Sequence, residues 1–142
     1  MKKIILSAFV LATLAGSVMA QVIKTKDVPA AVKEALAKKY PNATKVSWEK
    51  EKGNYEANWG GNSGEDTSVQ FTPAGTFVEE VNAISVSQLP AAVSAYVKTN
   101  YNSAKIKEAG KVTDAAGNHF FEAETKGKDL VFDESGKFLK ID

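Results

Sequence analysis

Residues that could carry out chemistry are scarce in this 142-residue chain. It has no cysteine and a single histidine, His119, so a thiol nucleophile is excluded and any serine–histidine pair would depend on that one ring. His119 follows the turn residues Gly117 and Asn118 and precedes Phe120 and Phe121, without the glycine-rich elbow that presents a nucleophilic serine. We therefore predict that His119 is a half-exposed strand residue and that the protein is not an enzyme.

The sequence also lacks the residue patterns that form metal sites and phosphate sites. One histidine without cysteines cannot form a zinc site unless several carboxylates join it. Residues 62–66 and 133–134 are rich in oxygen ligands but lack the spacing of a calcium loop. The glycine-rich residues 60–64 follow a strand pattern, whereas phosphate-binding glycine loops open a helix. We expect no cofactor and no metal, although weak cation binding by the loop of residues 60–66 stays open.

The N-terminal segment has the three parts of an export signal. Lys2 and Lys3 give a positive start, residues 4–16 form an apolar run, and small residues lead up to Ala20. We predict a cleavable signal peptide over residues 1–20, with cleavage between Ala20 and Gln21, and therefore a periplasmic or secreted protein. A membrane anchor and a buried helix are the alternatives for such a run. Without cysteine at the cleavage point, lipid attachment is excluded.

The charge balance argues against nucleic acid as a partner. The full chain carries a net charge of +1, and removing residues 1–20 with their two lysines leaves about −1. Every basic residue is lysine, because the chain contains no arginine. Arginine is the preferred side chain for phosphate and base edges, and nucleic-acid binders carry a basic patch. We expect no nucleic acid among the partners and no stable membrane anchor after cleavage.

The chain after residue 20 contains a two-copy repeat with an offset of 61 residues. Pro29, Tyr40 and Ala43 fall on Pro90, Tyr101 and Ala104, and the matches farther along pair Phe71 with Phe132, Gly75 with Gly136 and Phe77 with Phe138. Self-similarity at a fixed period indicates a duplicated structural unit. We predict one domain over residues 21–142, built from copies at about residues 28–84 and 89–142.

Each copy predicts a helix followed by four antiparallel strands. Val32, Leu36 and Tyr40 recur at four-residue spacing, which is typical of an amphipathic helix. The period then changes to two, which favours half-buried strands. The predicted fold is α+β, with two helices packed on one face of an eight-stranded sheet. The helices should bury an aromatic set, namely Trp48, Tyr55, Trp59, Phe71, Phe77, Phe132 and Phe138.

The same alternation assigns polar side chains to the opposite face of the sheet. These residues are expected to face solvent: Ser47, Glu49, Glu56, Asn58, Gln70, Glu122 and Glu124. Among the aromatics, Trp59 ends its strand beside a glycine loop, and Phe120 is out of phase with Phe121 and so points toward the polar side. The candidate partner-binding residues are therefore Glu56, Asn58, Trp59, Phe120, Glu122 and Glu124.

Several short motifs recur in order in both copies and resemble a known family. They are Val28-Pro29-x-x-Val32, Tyr40-Pro41-x-Ala43, Val46-x-Trp48-Glu49 and Tyr55-Glu56-Ala57, with Leu89-Pro90-x-x-Val93 and Leu130-x-Phe132-Asp133-x-x-Gly136 in the second copy. This pattern resembles the PepSY-like family of exported bacterial proteins, which are similar in fold to β-lactamase inhibitor proteins. The resemblance implies one continuous eight-stranded sheet whose open face grips a partner.

The two copies also differ, which argues against a site shared symmetrically between them. Asn102 stands where the first copy has Pro41, and Thr72 stands where the second has Asp133. We predict an exported, non-catalytic protein that binds a protein or peptide through the open sheet face. The alternatives are a small-ligand or cation-binding envelope protein that uses Trp59 and its loop, and an inhibitor of an exported hydrolase. The sequence does not identify the partner or the oligomeric state.

Overall fold

Two helices begin directly after prolines, as the repeated motifs predict. The computed structural model describes residues 20–142, so the predicted signal peptide lies outside the described residues except for Ala20. Helix α1 spans Ala30–Lys39 and helix α2 spans Ala91–Asn100. Proline is suited to this position because its missing N–H would have no partner in the first turn. A 3-10 turn precedes each helix, Thr25–Asp27 and Val86–Gln88.

Nine strands form one sheet, and their order in the sheet is their order along the chain. Their bounds are β1 Gln21–Ile23, β2 Ser47–Glu51, β3 Asn54–Trp59, β4 Thr67–Phe71, β5 Phe77–Ile84, β6 Glu108–Asp114, β7 His119–Thr125, β8 Lys128–Asp133 and β9 Phe138–Ile141. The prediction of eight strands is wrong by one. Strand β1 was missed because three residues are too few to show alternation, and it forms by antiparallel pairing with β2. Strand β5 extends to Ile84, where the first copy was predicted to end.

The chain divides into two compact units between Glu80 and Val81. In the first unit, Val32 and Leu36 of α1 pack on inward side chains of β2, β3 and β4: Trp48, Tyr55, Ala57, Val69 and Phe71. In the second unit, Val93 and Val97 of α2 pack on equivalent side chains: Ala109, Ala123, Leu130 and Phe132. The predicted aromatic core is confirmed for Trp48, Tyr55, Phe71 and Phe132, which are buried, while Trp59, Phe77 and Phe138 pack half-buried at its edges.

A glycine at the same repeat position in each unit lets a turn press against the start of the helix. Gly75 has a φ of +81°, and a Cβ there would stand 2.5 Å from the Ala31 carbonyl oxygen. Gly136 has a φ of +84°, and its Cβ would stand 2.9 Å from the Ala92 Cβ. Since residues with a side chain rarely adopt this backbone region, both positions require glycine for conformation as well as for space. The turns after β4 and β8 therefore fix the helices to the sheet.

Replacing Gly75 with alanine is expected to lower the free energy of unfolding by about 2 kcal/mol, because backbone strain and the clash with Ala31 add. Urea unfolding followed by circular dichroism measures this change. The matched control is Gly53→Ala, since Gly53 also has a positive φ but a Cβ there meets nothing within 4 Å. Equal losses in the two variants would show that the close approach to α1 contributes nothing.

Candidate binding face

The sheet face opposite α1 is polar across β2, β3 and β4. In the register of β2, β3 and β4, Glu49 lies opposite Glu56, which in turn lies opposite Gln70. One step along the strands, Ser47 lies opposite Asn58, which lies opposite Ser68. We call this surface the polar face of the first unit, defined by Ser47, Glu49, Glu51, Glu56, Asn58, Ser68 and Gln70. The alternation in the sequence therefore placed Ser47, Glu49, Glu56, Asn58 and Gln70 on the correct face, and the structure adds Glu51 and Ser68.

The expectation that this face meets solvent is wrong for most of its side chains. In the intact chain the exposed fractions of Glu49, Glu56, Asn58 and Gln70 are 8%, 4%, 5% and 3%, whereas Ser47 is exposed. The same correction applies in the second unit, where Glu122 and Glu124 are each 6% exposed. A period of two shows which face a side chain lies on, but not how closely its neighbours cover it.

Hydrogen bonds within the polar face satisfy part of this buried polar layer. The Ser68 hydroxyl donates to the Asn58 side-chain oxygen, and the Asn54 amide donates to the Gln70 side-chain oxygen over 3.1 Å. Buried polar groups normally require such partners, because a group that loses water without gaining a hydrogen bond destabilises the fold. The layer is therefore a structured part of the unit.

Glu56 lies at the centre of an electrostatic cluster. The pKa of its carboxyl group is raised from the ordinary 4.5 to about 8. Burial is the largest cause, and the carboxylates of Glu49, Glu51 and Glu79 act in the same direction, while a hydrogen bond with Asn58 lowers the pKa. The register supports this direction, since directly opposed side chains on antiparallel strands stand within about 5 Å at Cβ. Glu56 therefore holds its proton at neutral pH.

The second unit presents a different face opposite α2. Glu122, which corresponds to Glu56 in the repeat, lies opposite Gly110 instead of a carboxylate, and Glu124 lies opposite Glu108. Phe120 lies on this face as predicted, and it packs half-buried with Val81 and Val112 in a small apolar cluster separate from the core under α2. The two units therefore differ at the position opposite this glutamate, where the first has Glu49 and the second has Gly110.

Trp59 does not share a face with the other candidates of the first unit. Its ring packs with the core under α1 and lies 5.3 Å from the ring centroid of Tyr40. The Tyr40 hydroxyl donates a hydrogen bond of 2.6 Å to a Glu80 carboxylate oxygen, and burial together with this bond raises the pKa of Tyr40. Of the six candidates, the structure groups Glu56 with Asn58 and Phe120 with Glu122 and Glu124. It sets Trp59 apart.

His119 lies next to a hydroxyl group of the neighbouring strand β6. Nδ1 of His119 lies 3.1 Å from the Thr113 hydroxyl, which fixes the ring on its strand. Across residues 20–142, no group of three histidine, cysteine, aspartate or glutamate side chains is placed to hold a metal ion. Within the same residues, no helix has the length and apolar character needed to cross a membrane.

Taken together, the described residues define a class: an α+β protein with two helices and a nine-stranded antiparallel sheet, in which each unit packs its own helix on an apolar core. The family described as "Putative beta-lactamase-inhibitor-like, PepSY-like" matches residues 18–78 and again residues 61–140. The chain belongs to this PepSY-like family, which confirms the resemblance seen in its motifs. Among curated proteins, the comparison finds no match.

Solved structures of similar proteins agree with this fold. A protein of Bacteroides eggerthii described as one of the "putative periplasmic proteins" has a TM-score of 0.68 at 24% identity, covering 81% of this chain and 88% of its own. A "BLIP-like protein" of Bacteroides fragilis has a TM-score of 0.60 at 28% identity, covering 80% and 85%. A DUF2874 family protein of Bacteroides uniformis has a TM-score of 0.64 at 24% identity, covering 80% and 88%. At 24% identity, the likeness to the first and third of these proteins shows the fold alone.

Proposed function

We propose that the chain is an exported, non-catalytic protein of the periplasm that binds a protein or peptide through the sheet face opposite its helices. The observation that carries this proposal is the contrast between the two faces. In each unit one face is covered by that unit's helix over an apolar core, and in the first unit the opposite face bears an ordered polar layer. Family membership supports it, since the family is described as inhibitor-like. We infer that the two halves arose by duplication of one helix-plus-four-strand unit, to which β1 is an addition in the first half.

Two exposed residues mark the rim of the polar face of the first unit and make it accessible to experiment. Val22 of β1 lies opposite Glu49 and is 64% exposed, an unusual exposure for a large apolar strand residue. Ser47 begins β2 on the same face and is also exposed. A partner that covers this face would contact both residues, and the Val22 side chain would gain apolar contact on binding.

Site-specific photo-cross-linking tests the proposal. A benzoylphenylalanine is placed at Val22 or Ser47 in the protein exported by a bacterial host, with an exposed helix position, Ala37, as the matched control. Irradiation of intact cells is expected to give one dominant adduct, identified by mass spectrometry, from both face positions and none from Ala37. Adducts from Ala37 alone would place binding on the helix side, and no adduct at any position would contradict a protein-binding function.

The identity of the adduct separates a second candidate function from the first. The family description and the BLIP-like relative from Bacteroides fragilis favour inhibition of an exported hydrolase as a special case of binding. An exported hydrolase in the adduct, whose activity falls when the purified protein is added, would establish that case. A non-hydrolase partner would support the general proposal and exclude the inhibitor.

A further inference from the structure

The segment from Lys24 to Lys45, which includes helix α1, concentrates positive charge that the proposed sheet-face function does not use. It contains six lysines and two acidic residues, Asp27 and Glu34, so its net charge is +4. Since residues 21–142 carry about −1 in total, the rest of them carries about −5. We call the lysines of this segment the lysine patch: Lys24, Lys26, Lys33, Lys38, Lys39 and Lys45. All are exposed except Lys33, which is half-buried.

The repeat shows that the fold does not require these charges. Each unit has a 3-10 turn of three residues followed by a helix of ten residues, at the same offset of 61. In the second unit, the segment equivalent to the lysine patch has only two lysines, Lys98 and Lys105. Neutral residues stand at the positions of the first five patch lysines: Ser85, Ser87, Ser94, Thr99 and Asn100. The same elements therefore form with neutral side chains at these positions.

At the start of the 3-10 turn, a lysine replaces a residue that caps the turn. In the second unit Ser85 forms a capping box with Gln88, and its backbone N–H donates to the Gln88 side-chain oxygen over 2.8 Å. Lys24 occupies the equivalent position in the first unit and makes no side-chain capping hydrogen bond. Serine is a favoured N-cap residue, and lysine is not among the preferred types. The first unit therefore has a charge where the second has a stabilising contact, which favours a role for Lys24 outside the fold.

The lysines of α1 lie on both sides of its outward ridge. Opposite the buried stripe of the helix, the exposed Ala30 and Ala37 form this ridge, and at about 100° per residue Lys33 and Lys38 flank it on opposite sides. The ten residues of α1 extend over about 15 Å, so the charges are spread along a broad surface. Lysine carries a point charge on a flexible stem, whereas arginine suits fixed bidentate contacts with single phosphates or carboxylates. A patch made of lysines alone therefore suits a broad anionic surface.

We propose that the lysine patch holds the protein reversibly at the surface of a lipid bilayer that contains anionic lipids, with α1 facing the headgroups. An exported protein emerges beside a bilayer, and each lysine held close to an anionic surface strengthens binding by about 5-fold. The attraction is electrostatic and needs no inserted segment, so it is reversible and sensitive to salt. The polar face of the first unit lies on the other side of the sheet from α1 and stays open to a partner. Membrane docking is independent of the binding function proposed above.

Co-sedimentation with lipid vesicles tests this proposal on the exported, processed protein. The two vesicle preparations are phosphatidylcholine alone and phosphatidylcholine with about 40% phosphatidylglycerol, both in about 20 mM salt. The protein is expected to sediment with the anionic vesicles and not with the neutral ones. Raising the salt to about 150 mM should weaken the binding by about 10-fold or more, because the charges are then screened. Failure to bind the anionic vesicles at low salt would overturn the proposal.

A variant with second-unit residues at four positions of the lysine patch locates the binding surface. Its substitutions are Lys24→Ser, Lys26→Ser, Lys33→Ser and Lys38→Thr, and it should bind the anionic vesicles about 50-fold more weakly or worse. Lys39 is left unchanged because its amine lies 4.0 Å from the centroid of the Phe77 ring and contributes to packing. The thermal unfolding midpoint measured by circular dichroism should change little, since the second unit has the same residues at the equivalent positions.

The matched control removes the same charge from the second unit. Its substitutions lie at exposed positions and should weaken vesicle binding by less than about 3-fold: Lys105→Gln, Lys107→Gln, Lys111→Gln and Lys128→Gln. Equal losses in the two variants would show that net charge and not the lysine patch attracts the protein, which overturns the proposal. An acidic protein cross-linked from Ala37, with no vesicle binding, would assign the patch to a protein partner and overturn it too. Adducts from Val22 and Ser47 test the proposed function separately, so either proposal can fail alone.

Discussion

Replacing Glu56 with glutamine is expected to stabilise the protein at pH 8 and to remove a pH dependence that the wild type shows. The folded pKa of Glu56 is raised to about 8 from 4.5, so the folded protein holds a proton that the unfolded chain releases above pH 4.5. The stability contributed by that proton is therefore complete below pH 4.5 and is lost as the pH rises through 8. Between pH 5 and pH 8 the loss is on the order of 3 kcal/mol.

Glutamine mimics the protonated carboxyl group at every pH, so Glu56→Gln should be roughly 10 °C more heat-stable than the wild type at pH 8 and nearly equal to it at pH 5. Thermal unfolding by differential scanning calorimetry across this pH range measures the difference. Glu34→Gln, an exposed glutamate on α1, serves as the control and should change stability by less than about 0.5 kcal/mol at either pH. A Glu56→Gln protein that is no more stable at pH 8, or that keeps the wild-type slope, would show that Glu56 is ionised in the fold.

Replacing Phe132 with alanine is expected to lower the free energy of unfolding by about 3–5 kcal/mol, the largest effect of any substitution considered. Phe132 is 0% exposed, and its ring makes edge contacts with Tyr96 of α2 and Phe138 of β9, with centroid distances of 5.5 and 5.8 Å. Removing the ring therefore leaves a cavity at the point where helix and sheet meet. Guanidinium unfolding followed by tryptophan fluorescence and circular dichroism measures the loss.

Two comparisons give this prediction internal controls. Phe71, at the equivalent repeat position in the first unit, is 1% exposed, and its ring centroid lies 6.3 Å from that of Phe77. Phe71→Ala should therefore lower the free energy of unfolding by a similar amount. Phe120→Ala removes the same ring from a half-exposed position and should cost less than half as much. A Phe132→Ala loss no greater than that of Phe120→Ala would contradict the placement of Phe132 in the core.

Helices and strand faces were predictable because their signals are local. The spacing of Val32 and Leu36, and of Val93 and Val97, identified the buried stripes of both helices, and all four residues are buried. Strand β1 was not predictable in this way, because Gln21–Ile23 has no periodicity and is a strand only through its pairing with β2. The signal for such a strand lies in its partner, which a pattern read along one segment does not detect.

For the candidate binding residues, the sequence predicted the face of the sheet but not the burial of the side chains. Alternation placed Glu56, Asn58 and Phe120 on the correct face, but the burial of Glu56 among Glu49 and Glu79 depends on three strands coming together. The same limit explains Trp59, whose position at a strand end suggested exposure although its ring packs with Tyr40.

The sequential strand order has a consequence for how this protein is made. In the sheet every strand neighbours the strand that precedes it in the chain, so no strand has to be inserted between two others that have already paired. A chain that emerges from a translocation pore N-terminus first can therefore add one strand at a time to the growing edge, with a helix folding between β1 and β2 and between β5 and β6. Pairing between sequence neighbours also keeps the loops to be closed short, which favours rapid folding. The architecture is thus suited to vectorial folding on the far side of a membrane, without a later step that rearranges the sheet.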